Sequence, residues 1–198
     1  SMDDDDFDVA GFAVGVAERA DLPNESSVVQ GDLLVGLAST GLRCNGYSLA
    51  RRVLMHHGAT DQPAWPGAEL SLGDELLRPS VIYAPTVLSA FRQHEVHAAA
   101  HITGGGLVGN LKRVIGDQVD IGLDVKTWRR PKIFDEIASQ GPVSETEMRN
   151  VFNLGIGMVL IVPSDQVDAI MSLANTNGHE AWTIGQVTEG HGTVGWMD

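Results

Sequence analysis

Asp32-Leu-Leu-Val-Gly-Leu-Ala38 runs straight into Ser39-Thr-Gly-Leu-Arg-Cys-Asn-Gly-Tyr-Ser48, and this junction decides the fold. The apolar run after Asp32 is too continuous for a strand with one wet face, so it reads as an interior strand. Beyond the small, polar loop, Leu49, Val53 and Leu54 recur at helical spacing, which predicts a helix over 46–57 stopped by Gly58. Strand, loop and helix form the first unit. Outward from it, the segment 61–72 carries Pro63, Pro66 and Gly67 and is expected to be a surface excursion. Helices are expected at 85–94, 106–115 and 164–174, and strands at 96–102, 119–125, 157–162 and 181–187. Pro131 suits a first helical position before Ile133, Phe134 and Ile137, and Ser144-Glu-Thr-Glu147 is a capping-box pattern for a helix reaching Val151. On the other side, Val9 to Val16 reads as a strand that starts without preamble, as in a piece of a longer chain. Strands and helices mix without strict alternation. The expectation is one α/β (α+β) domain over 8–198 with a mixed sheet, preceded by a tag or disordered linker over 1–7.

Composition narrows the function classes. The chain has 198 residues, 43% of them hydrophobic and 20% charged, which suits a packed domain. It holds 23 glycines, against the roughly 14 that an ordinary share of about 7% would give, so several tight loops are expected. A net charge of −13 makes nucleic acid and anionic membrane poor partners. The lone Cys44 excludes an internal disulfide and a cysteine zinc cage. With no apolar run of the ~18 residues a span needs and no secretory pattern, the expected setting is cytoplasmic.

Two strand-to-helix loops could carry chemistry. In Ser39 to Ser48, Gly41 tolerates positive φ and Asn45 is an attractive N-cap, so hydroxyls of Ser39 and Thr40 with helix-start N–H groups would bind an anion. A plain tight turn with an N-cap fits the same residues. The second loop is His101-Ile-Thr103-Gly104-Gly105-Gly106-Leu107. Three successive glycines let a ligand approach backbone N–H groups without meeting a Cβ, at an entropic cost that a mere turn rarely needs. Tight helix packing on the sheet is the other explanation. Neither loop is a Walker loop or a dinucleotide fingerprint, since Gly-Lys-Ser/Thr and Gly-x-Gly-x-x-Gly are absent.

Weaker candidates surround them. His97 and His101 would share a strand face about 13 Å apart, too far to share a metal ion. His56-His57 suits a helix C-terminus, Arg129-Arg130 a surface or a phosphate contact, and Asn153 before Gly155 a turn or a cleft wall. Cys44 has no assured base beside it, which leaves a nucleophile role unsupported.

Four motifs carry a resemblance when taken in order: Val9-Ala-Gly-Phe-Ala-Val-Gly-Val16, Gly41-Leu-Arg-Cys-Asn-Gly-Tyr-Ser-Leu49, His101-Ile-Thr-Gly-Gly-Gly-Leu107 and Phe152-Asn-Leu-Gly-Ile-Gly-Met158, with Ala181-Trp-Thr-Ile-Gly185 behind them. Together the chain resembles the C-terminal half of the phosphoribosylformylglycinamidine cyclo-ligase (aminoimidazole ribonucleotide synthetase) family from Asp8 onward. The looser superfamily, with selenophosphate synthetase and thiamine monophosphate kinase, is the alternative; a free-standing module that binds a phosphorylated small molecule is another. The resemblance implies a layered domain with a partly ferredoxin-like sheet. It also implies ring closure of formylglycinamidine ribonucleotide to aminoimidazole ribonucleotide in purine biosynthesis at the cost of ATP. The nucleotide and Mg2+ ligands would lie in an N-terminal domain absent here, the whole enzyme would be a homodimer, and this half alone would be inactive. Carried onto this sequence, Thr40, Gly41 and Asn45 would meet substrate or its phosphate, and Thr103, Gly104, Gly105 and Gly106 would donate backbone hydrogen bonds. His101 would flank them and Asn153 would line the cleft wall. No residue is singled out as catalytic, and no metal ligand is expected in this half.

Overall fold

The computed structural model describes residues 10–19, 22–55 and 60–197. Six strands form one sheet in the order β2-β4-β1-β5-β3-β6. They are β1 (Leu33–Ala38), β2 (Ala98–His101), β3 (Val119–Leu123), β4 (Ile156–Val162), β5 (Ala181–Glu189) and β6 (Val194–Trp196). Every pairing is antiparallel except β3 with β6. The helices are α1 (Tyr47–Leu54), α2 (Leu72–Leu76), α3 (Ala84–Gln93), α4 (Gly106–Leu111), α5 (Lys132–Gln140), α6 (Glu145–Val151) and α7 (Val167–Thr176).

The apolar run that began the reading lies at the centre. β1 has β4 on one side and β5 on the other, and successive side chains alternate between two covered faces. Val35 and Leu37 pack with Leu160, Val162 and Ile170 beneath α3 and α7, while Leu34 joins Ile121, Val159, Ile161 and Ile184 on the α4 side. Burial on both faces explains the continuous hydrophobicity, though the sheet is mostly antiparallel. A further apolar cluster (Leu49, Val53, Phe134, Ile137, Met148 and Phe152) joins α1, α5 and α6.

Four of the strands carry the ferredoxin-like part. Read alone, β2, β4, β1 and β5 stand as the second, third, first and fourth of their set, and α3 and α7 make the two crossovers on the same face. The stretch from 102 to 155 is inserted between the second and third of these strands and brings α4, β3, α5 and α6. β3 and β6 then widen the sheet beyond β5.

Local signals in the sequence act as expected at several ends. Ser144 accepts from the Glu147 backbone N–H at 3.2 Å and starts α6, a cap of about 1 kcal/mol. Others need correction. Residues 10–18 form no strand, and Phe12, Val14 and Val16 stand almost fully exposed, because this segment pairs with no strand among the described residues; Val9 and the 1–7 linker lie outside them. α1 ends at Leu54, and His56, His57 and Gly58 are not described. Pro131 is the N-cap of α5 rather than its first residue. α4 stops at Leu111, short of Ile115. The expected surface excursion buries Ala64 and Leu72 and ends in α2, capped by Ser71. No described helix is long and apolar enough to cross a membrane.

His97 fastens the entry of β1 to that of β2. Its Nδ1 lies 2.7 Å from Oδ2 of the buried Asp32, and its Nε2 lies 3.1 Å from Glu95 Oε1. Burial works against charge on this ring, yet the hydrogen bonds to Asp32 and Glu95 and their charges outweigh it, so the pKa is raised. A raised pKa stabilises the fold fully below the unfolded value of about 6.5, and that share is lost as pH rises through the folded value. Urea unfolding should therefore show His97→Gln costing about 1–2 kcal/mol near pH 6 and clearly less near pH 8.5. A cost independent of pH would remove the charged pair from this account.

Candidate functional site

The sheet order explains why the two loops meet. β1 and β2 run the same way on either side of β4, which runs against both. Their C-terminal residues, Ala38 and His101, therefore finish beside Ile156 and Met158 at the start of β4. Three connections leave the sheet at this one end: 39–46, 102–105 and 152–155. Every residue expected at the site lies on them or next to them.

The triple glycine is not one device but three. Gly106 has φ +63, and a Cβ there would lie 2.0 Å from the Arg149 carbonyl oxygen, so it exists for close packing of α4 on α6. Gly105 is the N-cap of α4 with φ +95, a backbone requirement. Gly104 has neither need: the nearest atom to a Cβ would be Asn45 Nδ2 at 3.7 Å, an ordinary contact. Its missing side chain leaves open space between the two loops. Gly104 and Gly105 are exposed, and their N–H groups find no backbone acceptor among the described residues. With six residues, α4 has a small dipole, so these N–H groups and the charge nearby carry any attraction for an anion.

The first loop is held by residues with different duties. Thr40 Oγ1 donates to Pro79 O at 2.9 Å, which brings the 78–82 segment against the loop. Asn45 is half-buried and is not the cap of α1; Gly46 takes that place in the left-handed conformation, with no side-chain cap. Gly41 is buried, and its carbonyl accepts from Asn153 Nδ2 at 2.7 Å. Asn153 is itself buried and accepts from Gly155 N at 2.8 Å, so both ends of its amide brace the loops. Thr103 turns its hydroxyl to Asn110 Oδ1 at 3.1 Å.

Two residues that sequence reasoning passed over prove central. Asn110 is buried in α4 and donates to Gly106 O at 2.7 Å and to Thr103 O and Gly104 O at 3.3 Å, which sets the glycine loop. Its signal was a polar residue on the inner side of a short helix. Arg43 is buried, with Nη1 3.0 Å from Gly157 O and Nη2 2.9 Å from Ile102 O and 2.7 Å from His101 Nε2. Nothing local marks an arginine in a loop as buried.

Electrostatics divides the remaining groups. Partial burial of its ring and then the Arg43 charge hold His101 below the usual histidine pKa. Tyr83, beside both, is pushed up mainly by burial against the opposing pull of Arg43, and its hydroxyl donates to Ala38 O at 2.6 Å. Arg130 is engaged with Glu145 at 3.0 Å and Asp135 at 3.5 Å. Cys44 is exposed, 3.5 Å from Ser80 Oγ, with no base in contact. Among the described residues, no group of three or more His, Cys, Asp or Glu is arranged for a metal ion. Two hollows of about 440 and 360 Å³ lie elsewhere, near Arg19 and Arg113 and near Gln30 and Glu189. Chemically, the cleft offers free backbone N–H donors, one imidazole and a buried cation, which suits an anionic ligand better than bond-breaking by its own side chains.

Comparison with known proteins gives the setting. Residues 29–197 match the family model described as AIR synthase related protein, C-terminal domain. The phosphoribosylformylglycinamidine cyclo-ligase of Synechococcus elongatus is 41% identical over 193 residues, covering 96% of this chain and 56% of the relative. That of Symbiobacterium thermophilum is 46% identical over 187 residues, covering 92% and 53%. The chain thus spans about half the length of the curated relatives it matches. Among solved structures, thiamine-monophosphate kinase from Stenotrophomonas maltophilia superposes with a TM-score of 0.60 at 17% identity, over 91% of this chain and 54% of that one. The hydrogenase maturation protein HypE in complex with ATP does so with 0.60 at 16%, over 88% and 49%. These two share the fold.

Proposed function

The chain belongs to the family of AIR synthase related proteins, as their C-terminal domain, and from that premise we propose that it is half of a cytoplasmic phosphoribosylformylglycinamidine cyclo-ligase. The observation that carries this reading is identity of 41–46% along nearly the whole chain to relatives of that name. In the reading, the whole enzyme closes the imidazole ring of aminoimidazole ribonucleotide. ATP supplies the chemistry that makes the formyl oxygen of formylglycinamidine ribonucleotide a leaving group. This half holds the nucleotide substrate. Thr103 to Gly106 and His101 receive its phosphate, and Thr40, Gly41 and Asn45 form the opposite wall. Asn153 keeps that wall in place from behind, a duty that its buried amide fits better than direct contact. Catalysis here is positioning and charge stabilisation, because the cleft has no nucleophile with a base beside it.

The described residues do not fit a magnesium site, for they gather no carboxylate cluster. In this reading, magnesium and the triphosphate belong to the N-terminal half of the enzyme, which also makes its dimer contact. It follows that the chain by itself should release no phosphate from ATP above a blank. Substrate-dependent release by the pure chain would refute that.

A chimera tests the assignment directly. Residues 10–197 would replace the matching half of the Synechococcus elongatus relative, and the expected result is aminoimidazole ribonucleotide formed at the expense of ATP. A folded chimera that instead consumes ATP with thiamine monophosphate or selenide would move the chain elsewhere in the superfamily. Micromolar binding of a phosphorylated ligand by the chain alone, with an inactive chimera, would favour a free-standing binding module.

A further inference from the structure

We propose that Arg43 is a positioning residue of this cleft: its buried guanidinium ties the loop after β1 to the end of β2 and the start of β4, and fixes the tautomer of His101 that leaves Nδ1–H free for a ligand. The proposal deepens the reading of the cleft as a phosphate-binding site and rests on it for the identity of the ligand. Three departures from ordinary behaviour coincide at this one residue. Arg43 is 8% exposed, yet no carboxylate pairs with it among the described residues. Its Nε is buried with no hydrogen-bond partner. Its backbone sits at φ +62, the left-handed region that bulky side chains rarely enter. A buried cation without a counterion is costly, and an arginine kept only for packing would be better replaced by an apolar side chain.

The contacts show what the guanidinium accomplishes. Nη1 reaches Gly157 O at the start of β4, and Nη2 reaches Ile102 O and His101 Nε2 at the end of β2. One side chain from the loop after β1 thus fastens that loop to the end of β2 and to the start of β4. Arginine can only donate, so Nε2 of His101 must accept with its lone pair, and the ring hydrogen lies on Nδ1. No partner for Nδ1 occurs among the described residues, and His101 is exposed at the end of β2, where the chain enters the glycine loop. The groups that face the ring are Arg43 and Tyr83, whose ring centroid lies 6.3 Å away, with His179 beyond Tyr83 at 5.5 Å from it. None of them carries negative charge at neutral pH, and partial burial and then the Arg43 charge lower the pKa of His101. His101 therefore acts as a neutral donor to the ligand's oxygens, with the Arg43 charge behind it.

Long-range proton–nitrogen NMR of the 15N-labelled 198-residue chain tests this without any ligand. The expected spectrum has His101 protonated on Nδ1, with its charge transition below the usual histidine midpoint. A His101 protonated on Nε2 alone, or charged at neutral pH, would overturn the proposal, and this measurement needs no variant to fold. In Arg43→Met, the midpoint of His101 should rise and the tautomers should mix; Arg43→Lys, which keeps the charge, should restore most of the low midpoint. An unchanged His101 in a folded Arg43→Met would also refute it. Inorganic phosphate then separates the two readings. A shift of the His101 Nδ1 signal on titration supports the ligand role. No shift removes the phosphate site, while the pairing of Arg43 with His101 still stands or falls by the tautomer.

Discussion

Alanine at Gly106 should cost the fold about 3 kcal/mol or more, whereas alanine at Gly104, two residues earlier, should leave stability within about 0.5 kcal/mol and weaken substrate binding about tenfold. At Gly106, the new Cβ would lie 2.0 Å from Arg149 O and 3.2 Å from Phe152 O, both backbone atoms that cannot step aside without moving α6. The residue would also sit at φ +63, strained for any side chain. At Gly104, the Cβ meets only Asn45 Nδ2 at 3.7 Å and otherwise fills the space proposed for a phosphate. Gly105, the middle glycine, is a poorer position, because a side chain at φ +95 disturbs the fold and the cleft together. Urea unfolding of both variants, with calorimetry or KM for formylglycinamidine ribonucleotide in the whole enzyme, gives the answer. A stable Gly104→Ala with unchanged binding would leave the triple glycine a packing device throughout.

Truncation of Phe152 to alanine should cost about 3–5 kcal/mol. The ring is 1% exposed, lies 5.5 Å from that of Phe134, and fills the space above Gly46, where a Cβ would come within 2.3 Å of its Cε1. It therefore joins α5 and α6 to the first turn of α1 and supports the wall of the cleft from inside. Phe152→Leu, which retains most of the volume, should cost about 1 kcal/mol. Denaturant midpoints at constant slope distinguish the two. A loss below about 1 kcal/mol for the alanine variant would mean that the cavity collapses freely and that this cluster does not support the loop.

The sequence by itself determined the elements whose signals are local. A continuous apolar run places β1 inside the sheet because two covered faces need apolar side chains at every position. Ser144 starts α6 because its hydroxyl reaches Glu147 N three residues on, a contact that no distant part of the chain can alter. The loops after β1 and β2 were legible as small and glycine-rich, and the four motifs in order were enough to resemble the right family. What depended on distant partners was not legible. Alternation over 9–16 reads as a strand, but a strand forms only where an edge accepts it, and the described part of that segment stands exposed. β6 is three residues long and exists because β3 lies beside it. Asn45 looked like a cap, yet the chain turns at Gly46 because the ring of Phe152, more than a hundred residues later, occupies the space where a side chain would go. The cleft itself belongs to the tertiary structure. It arises because β4 runs antiparallel between β1 and β2 and so gathers their loops at one end, where Arg43 can reach Gly157 and His101, residues 114 and 58 positions away in the chain. Spacing along a sequence encodes hydrogen bonds within a turn of helix or a single loop; it carries no record of which loop ends opposite which.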